Sequence, residues 1–475
     1  MDPAPYEFAP MNSAQERKLL NFFRGGCQVK KNRHRVSKLC PFLVLFFLFS
    51  GGIAHAEIEI QILPEVLDKF SIGGEVNVFY RYDQSPYYGA DITPDEGPDT
   101  DWGETFSRIR FTAEKNLDWA ILEGQFAPFY TETIGQDVYG LVKDDQKSGI
   151  DQAWIKFRNI FGSSVDVTAG RQDIKIEKWF LIADGEDQEF GNWLYFHSSF
   201  PMALKLDGEF NQLKSTLFWA RSGNYVKYWT DGPEDDIDLT GFNLHYDFTE
   251  KLYIYGGVYY KNEDQNDTAS ENDTIAFDIG ADASFGGLHL EGEFVYETGD
   301  VTDAFGEERD RKAFAGFASA TYTLPVQFAP YLRGTYIYFS GDDDPTDNDV
   351  EEYDPMFFDF KIWNRWIIGE LVGETQLPNY NKQNIIAEVG FSPIEPMVIS
   401  LMYIRHDLVE NNWLGMPLGS DEWADEFNLL IDYPIGDHLF VHSGLGYITP
   451  DDAAEEVFGD DENAFFAQLW LNFYF

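Results

Sequence analysis

A chain of 475 residues with 82 Asp and Glu against 34 Lys and Arg carries a formal charge of −48, which leaves no basic face for nucleic acid. A mean hydropathy of −0.33 excludes a bundle of membrane helices. An aromatic share of 17% is high for a soluble domain and suits rings gathered at membrane interfaces.

The N-terminus differs from everything after it. Residues 30–38 (KKNRHRVSK) are basic, residues 39–54 (LCPFLVLFFLFSGGIA) are apolar, and Ala54-His55-Ala56 is a small-residue cleavage site. This order predicts a secretory signal, with residues 1–56 removed after Ala56. The apolar run is broken by Pro41 and Gly51-Gly52 and is too short for a spanning helix. Cleavage removes Cys27 and Cys40, the only cysteines, and takes the formal charge to −53. An exported chain without cysteine must be stabilised by its backbone ladder rather than by disulfides. Residues 57–69 read as a periplasmic lead-in with a helical turn, and residues 70–475 as one barrel.

From there a period of two repeats to the end. Strands are predicted at 70–82, 104–115, 117–130, 148–159, 164–173, 198–208, 212–222, 236–248, 251–262, 273–285, 287–299, 311–323, 328–340, 383–393, 397–408, 423–433, 438–449 and 463–475. The last strand places Phe465, Ala467, Leu469, Leu471, Phe473 and Phe475 on one face, with Gln468, Asn472 and Tyr474 on the other and Trp470 as an exception. Connections alternate between short ones, such as Asn116, Gly286 and Pro434 to Asp437, and long ones, such as 83–103, 174–197 and 341–382. That parity, with strands long enough to cross a bilayer at a tilt, predicts an all-β fold. It is a transmembrane antiparallel up-and-down β-barrel of about 18 strands, with short periplasmic turns and long acidic extracellular loops. An even count closes the sheet and leaves no edge in lipid. A last strand that ends in Phe475 resembles the C-terminal strand of bacterial outer-membrane barrels, which implies a setting in the outer membrane of a Gram-negative cell amid lipid and lipopolysaccharide, with Phe475 as the end read by the assembly machinery.

A charge near the bilayer midplane on the lipid face costs roughly 2–4 kcal/mol for Lys or Arg, so strand charges are expected to face the lumen. The basic lumen set is Arg81, Arg108, Arg110, Lys156, Arg158, Lys205 and Arg333, and the acidic set is Glu75, Glu123, Asp278, Asp282, Glu291 and Glu293. The cations gather on the first, second and fourth strands and the acids on the tenth and eleventh. Two readings follow: opposed walls with a transverse field, or neighbours that pair and keep the wall wet. The loop 341–382 is too apolar to lie free, and Phe360, Trp363 and Trp366 mark it as a candidate constriction folded into the lumen.

Nothing points to an enzyme. His197-Ser198-Ser199 sits at a strand start, His442-Ser443 puts the two side chains on opposite faces, and neither G-x-S-x-G nor H-E-x-x-H occurs. No cofactor motif is present, and the acidic run from Asp342 to Glu352 lacks the glycine of a calcium loop, so no dedicated metal site is expected.

The run AGRQDI (169–174), the later Phe200 and Leu206-Asp207-Gly208, and the terminal Phe resemble the alginate-export family of outer-membrane porins. The resemblance implies passage of polysaccharide or anionic solutes through a lumen lined by Arg81, Arg108, Arg110, Lys156, Arg158 and Arg171. Where that family continues with glycines after G-R-Q, this chain has IKIEKWFLIADGEDQ (174–188). The expected function is a channel for passive passage of small polar or anionic solutes, possible alginate-like export included. The rival reading is a structural barrel that sheathes a periplasmic partner such as an electron carrier. A loop-filled lumen favours the first, and a wide empty lumen the second.

Overall fold

The computed structural model describes residues 58–59, 66–90, 100–137, 144–183, 185, 199–223, 236–264, 271–302, 306–344, 347–357, 368–369, 371–377 and 379–475. The expected cleavage site after Ala56 lies outside these residues. Eighteen long strands make the wall. They are β1 Lys69–Gln84, β2 Thr100–Asn116, β3 Ile121–Gly135, β4 Gln146–Arg158, β5 Val165–Asp173 and β6 Ser199–Phe210. Then follow β7 Leu213–Gly223, β8 Asp236–Thr249, β9 Leu252–Asp264, β10 Glu271–Phe285, β11 Leu288–Thr302 and β12 Glu308–Thr323. The circuit ends with β13 Tyr331–Phe339, β14 Lys382–Phe391, β15 Val398–Leu408, β16 Glu422–Ile435, β17 Leu439–Pro450 and β18 Ala464–Tyr474. Every predicted strand is present, with ends displaced by at most five residues.

Each strand pairs antiparallel with its neighbour in sequence, and β18 returns to β1 in the register Glu75↔Tyr474 through Gln84↔Phe465. The Phe475 N–H donates to the Gly74 carbonyl at 3.0 Å and the Gly74 N–H donates back at 2.8 Å, so the ladder runs to the final residue. Below that point Ile58–Glu59 pairs with Ser71 and Ile72 and continues the same edge. The expected helical turn in this lead-in is therefore, at Ile58–Glu59, a short strand. The one-residue link at Asn116 is instead a turn over 117–120, closed by Leu117 N–H to the Ala120 carbonyl at 2.8 Å. One residue cannot reverse two antiparallel strands. Gly286, expected alone between strands, shares the turn with Gly287 and takes φ 61°, a left-handed conformation that glycine adopts at no steric cost.

Burial alternates along the strands. On the outside, Ile279, Phe294, Leu332, Ile385, Leu401 and Phe427 stand exposed in a broad apolar belt. Toward the extracellular end the polarity inverts. Inner positions there are apolar and sealed, among them Leu239, Ala276, Val295, Ala315, Ile337 and Phe339. Outer positions there carry ion pairs: Arg221 to Asp238 at 2.5 Å, Lys312 to Asp349 at 2.6 Å, and Arg405 to Asp407 at 2.7 Å. The expectation that all strand charges face the lumen fails at this rim. Most strands run 11 to 17 residues, more than the roughly 10 that cross a bilayer, so their upper ends stand in water and pack like a soluble barrel. The last strand follows suit, with Phe466 and Trp470 on its inner face beside Gln468 and Asn472. Elements that the period-of-two reading did not foresee include, among the described residues, a π-helical turn Leu371–Gln376, a short helix α1 Asp452–Phe458 and short loop strands at Asp349–Val350, Asn412–Trp413 and Met416–Pro417.

Inward glycines make room for rings that lie flat on the wall. A Cβ on Gly280 would run into the Tyr255 ring, and one on Gly241 into Phe218 and Tyr259. We expect Gly280→Ala to destabilise the barrel by about 1–3 kcal/mol. Gly334→Ala, which has open space, should be neutral. The temperature of the heat-modifiable shift on a detergent gel measures both.

Candidate functional site: the pore constriction

The lumen is narrowed by two long loops. The first leaves β5, which is only nine residues long and ends at Asp173 paired with Ser199. Ile174 turns inward and is fully buried. The Ile176 N–H donates to the Ile182 carbonyl and the Trp179 N–H to the Ile176 carbonyl, both at 2.9 Å, which folds 176–182 into a hairpin-like tip. Glu177 and Trp179 sit in the left-handed region (φ 48° and 64°), uncommon for residues with side chains and held only where surroundings fix them. Apolar anchors supply that fixing. Phe180 packs on Phe317 and Phe339, with ring centroids 5.3 and 5.5 Å away. The backbone of 181–183 bonds to Phe357 through Ala183 N–H to the Phe357 carbonyl at 2.7 Å and Phe357 N–H to the Leu181 carbonyl at 3.2 Å.

Phe357 belongs to the second loop, between β13 and β14, the one expected to enter the lumen. Its described parts do so: Tyr353, Met356, Phe357, Ile368 and Val372 are sealed inside the barrel. Phe360, Trp363 and Trp366 lie outside the described residues. Asp354 ties this loop to the wall through Lys261 at 2.6 Å, and its N–H donates to Glu297 at 2.8 Å. Arg311 holds the Glu352 carbonyl at 2.8 Å. Gln376 anchors the π-helical turn, accepting from Tyr88 at 2.7 Å and Trp423 at 2.9 Å on its Oε1.

The tip of the first loop reaches the periplasmic half of the lumen. Glu177 accepts from or pairs with His245 Nδ1 on β8 at 3.1 Å. Lys178 Nζ meets Asp282 on β10 at 2.6 Å and Glu291 on β11 at 2.8 Å. Burial depresses the affinity of Lys178 for its proton, yet Glu291 and Asp282 more than offset this and raise it, so Lys178 is charged. Burial raises the Glu177 carboxyl against the pull of His245 and Lys178. The sequence reading missed Glu177 and Lys178. Their signal was available: IKIEKWFLIADG is an apolar run holding charges in the middle of a long loop, as suspicious as the run it singled out in 341–382.

The predicted basic residues separate into two groups. Arg81 is sealed in the β1–β18 seam, bound to Asp83 at 2.7 Å, to Gln468 at 3.2 Å, and stacked over Phe466 at 4.2 Å. Arg108 is clamped between Glu75 and Asp151, Arg333 meets Glu388 at 2.5 Å, and Arg171 donates to the Asp151 carbonyl at 2.8 Å. The others face the open lumen on its periplasmic half. Arg158 spans Glu114 and Glu123, Lys156 meets Asp166 at 3.0 Å, Lys205 meets Asp207 at 3.2 Å, and Arg110 stands 3.9 Å from Glu75. Lys214, not foreseen, pairs with Asp247 at 2.8 Å. From β1 to β7 cations and carboxylates interleave, whereas β10 and β11 stay acidic through Asp278, Asp282, Glu291 and Glu293 and are met by Lys178 of the loop. Opposite charges on facing strand positions attract, and like charges there repel, which favours this interleaving. Of the acidic set, Glu75 and Glu123 belong to these pairs, Asp282 and Glu291 hold Lys178, and Asp278 and Glu293 are buried, Glu293 accepting from Tyr255 at 2.7 Å.

A closed barrel of eighteen strands whose own loops narrow its bore defines an outer-membrane channel for small solutes, and the loop-filled lumen disfavours a sheath around a partner. The family model for alginate export matches residues 131–413, and the chain belongs to that family. Among solved structures, OccK5 (OpdH) of Pseudomonas aeruginosa aligns at a TM-score of 0.54 and 12% identity, covering 86% of this chain and 98% of that one. OccAB1 of Acinetobacter baumannii aligns at 0.54 and 12%, covering 85% and 96%. OccK2 (OpdF) of P. aeruginosa in complex with glucuronate aligns at 0.52 and 12%, covering 86% and 98%. At such identity these likenesses establish the shared barrel. Comparison with curated protein sequences gives no significant match.

Asp354 supplies a pH test of the second loop. Burial alone would raise its carboxyl, but Lys261 and Arg311 outweigh it and hold Asp354 well below the usual carboxylate range. A depressed carboxyl stabilises the docked loop above its ordinary value near 4 and loses that contribution as pH falls below it. Limited proteolysis within 349–357 should therefore stay slow from pH 7 to 5 and quicken below about 4, and Asp354→Asn should be cut readily at every pH.

Proposed function

We propose that the barrel passes small polar and carboxylate-bearing solutes, uronate-sized sugars among them, by exchange of ion-pair partners along its periplasmic lumen. The observation that carries this reading is the file Arg110, Arg158, Lys156, Lys205 and Lys214, whose side chains are 25% to 42% exposed while each stays near a carboxylate. Ion pairs this exposed contribute only about 0–1 kcal/mol each, so a solute carboxylate can take a cation from its partner and pass it on at little cost. Because acids accompany the bases along this file, neutral polar solutes are not repelled there. The glucuronate seen with OccK2 makes a uronate the first solute to try. The inward loops set the size limit. Export by cleavage after Ala56 and delivery to the membrane through Phe475 complete the reading.

Liposome swelling with glucuronate and with an uncharged sugar of the same size tests it. The triple variant Lys156→Gln, Arg158→Gln, Lys205→Gln should slow glucuronate several-fold relative to the neutral sugar. Equal slowing of both, or of neither, sinks partner exchange.

A further inference from the structure

Lys178 sits in a cage that invites another occupant. Asp282 and Glu291 are direct cross-strand partners on β10 and β11. Two carboxylates facing each other at such a pair destabilise a sheet unless a cation lies between them. His289, nearby on β11, points its Nε2 at Asp282 Oδ2 from 3.0 Å. One donor atom from each of Asp282, His289 and Glu291 lies within 4.8 Å of the other two. Lys178 Nζ occupies this cluster, and Tyr253 donates to Asp282 at 3.2 Å from the side. The cation is thus supplied by the chain itself, from a loop tip whose backbone is held in an uncommon conformation at Glu177 and Trp179. The His289 side chain is 38% exposed and stands beside the Gly286-Gly287 turn, so the cluster opens to the periplasmic mouth.

We propose that Asp282, His289 and Glu291 form a site for a divalent transition-metal ion, and that Lys178 is the internal cation such an ion displaces. One imidazole and two carboxylates are a donor set that zinc accepts with water as a fourth ligand. An ion there and the Lys178 ammonium exclude each other, since both cannot occupy the space between the same oxygens. Metal binding therefore releases the Lys178 side chain, while Glu177 stays on His245 and Phe180 and Ile182 keep the rest of the loop anchored. The constriction becomes responsive to metal on the periplasmic side.

The test uses the full-length barrel in detergent, titrated with Zn2+ by calorimetry, and the same barrel in planar bilayers with Zn2+ added to the periplasmic side. Lys178→Met should bind Zn2+ on the order of tenfold more tightly than the unaltered chain, because the competitor is gone. His289→Ala and Glu291→Gln should lose that site while keeping the heat-modifiable shift of a folded barrel. Zn2+ should change the conductance of the unaltered channel and leave His289→Ala unmoved. Equal Zn2+ affinity in the unaltered chain and Lys178→Met, or undiminished binding in both His289→Ala and Glu291→Gln, would overturn the proposal and assign the binding to the acidic loops.

Discussion

A strand in lipid has no water to satisfy its N–H and carbonyl groups, so every one of them must find a partner in the sheet. The rest of this structure depends on that condition. It requires the first and last strands to meet, which sets the even count, the shared side of the termini and the bond between Phe475 and Gly74. It also explains why Ile58–Glu59 lies where it does, covering the stretch of β1 that the chain end leaves bare. Once the wall is closed, its interior is a cylinder about which lipid imposes nothing, and the sequence is free to fill it.

The filling is of two kinds. In the extracellular half, apolar inner residues and two inward loops make a dry core organised around Phe180, Phe339 and Phe357. Charges buried in it are carried in compensated groups, as with Lys261, Arg311, Glu297 and Asp354. In the periplasmic half the wall stays polar, and its ion pairs are partly exposed. The tip at Lys178 joins the halves. It is held from above by packing and from below by ion pairs.

The wall was legible in the sequence because its two rules, alternation and loop parity, act on every residue of a long strand. The inner and outer faces followed from the same alternation, the inner one carrying Glu75, Arg108, Asp282 and Glu291. What the sequence hid was pairing. Arg108 and Glu75 are 33 residues apart, Lys178 and Glu291 are 113 apart, and no local pattern says which acid a given base will meet. That the bases of the early strands each meet a carboxylate was hidden for this reason. The inverted polarity of the extracellular rim was hidden too, since Arg405 or Asp238 on an outer face looks locally like a lumen charge until the membrane's height on the barrel is known. The first inward loop was less legible because Lys175, Glu177 and Lys178 interrupt its apolar run.

That inversion has a consequence for how the molecule sits. The outer apolar belt ends where Arg221, Lys312 and Arg405 begin, with their acidic partners, on three separate parts of the circumference. Sinking the barrel would drag these pairs into hydrocarbon, and raising it would lift Ile279 or Leu401 into water. Leaning would do one on one side and the other opposite. The rim thus works as a waterline drawn at three points, which fixes depth and tilt together. The loop tip at Lys178, bound to the inner wall, is thereby held at a set height in the membrane without touching lipid.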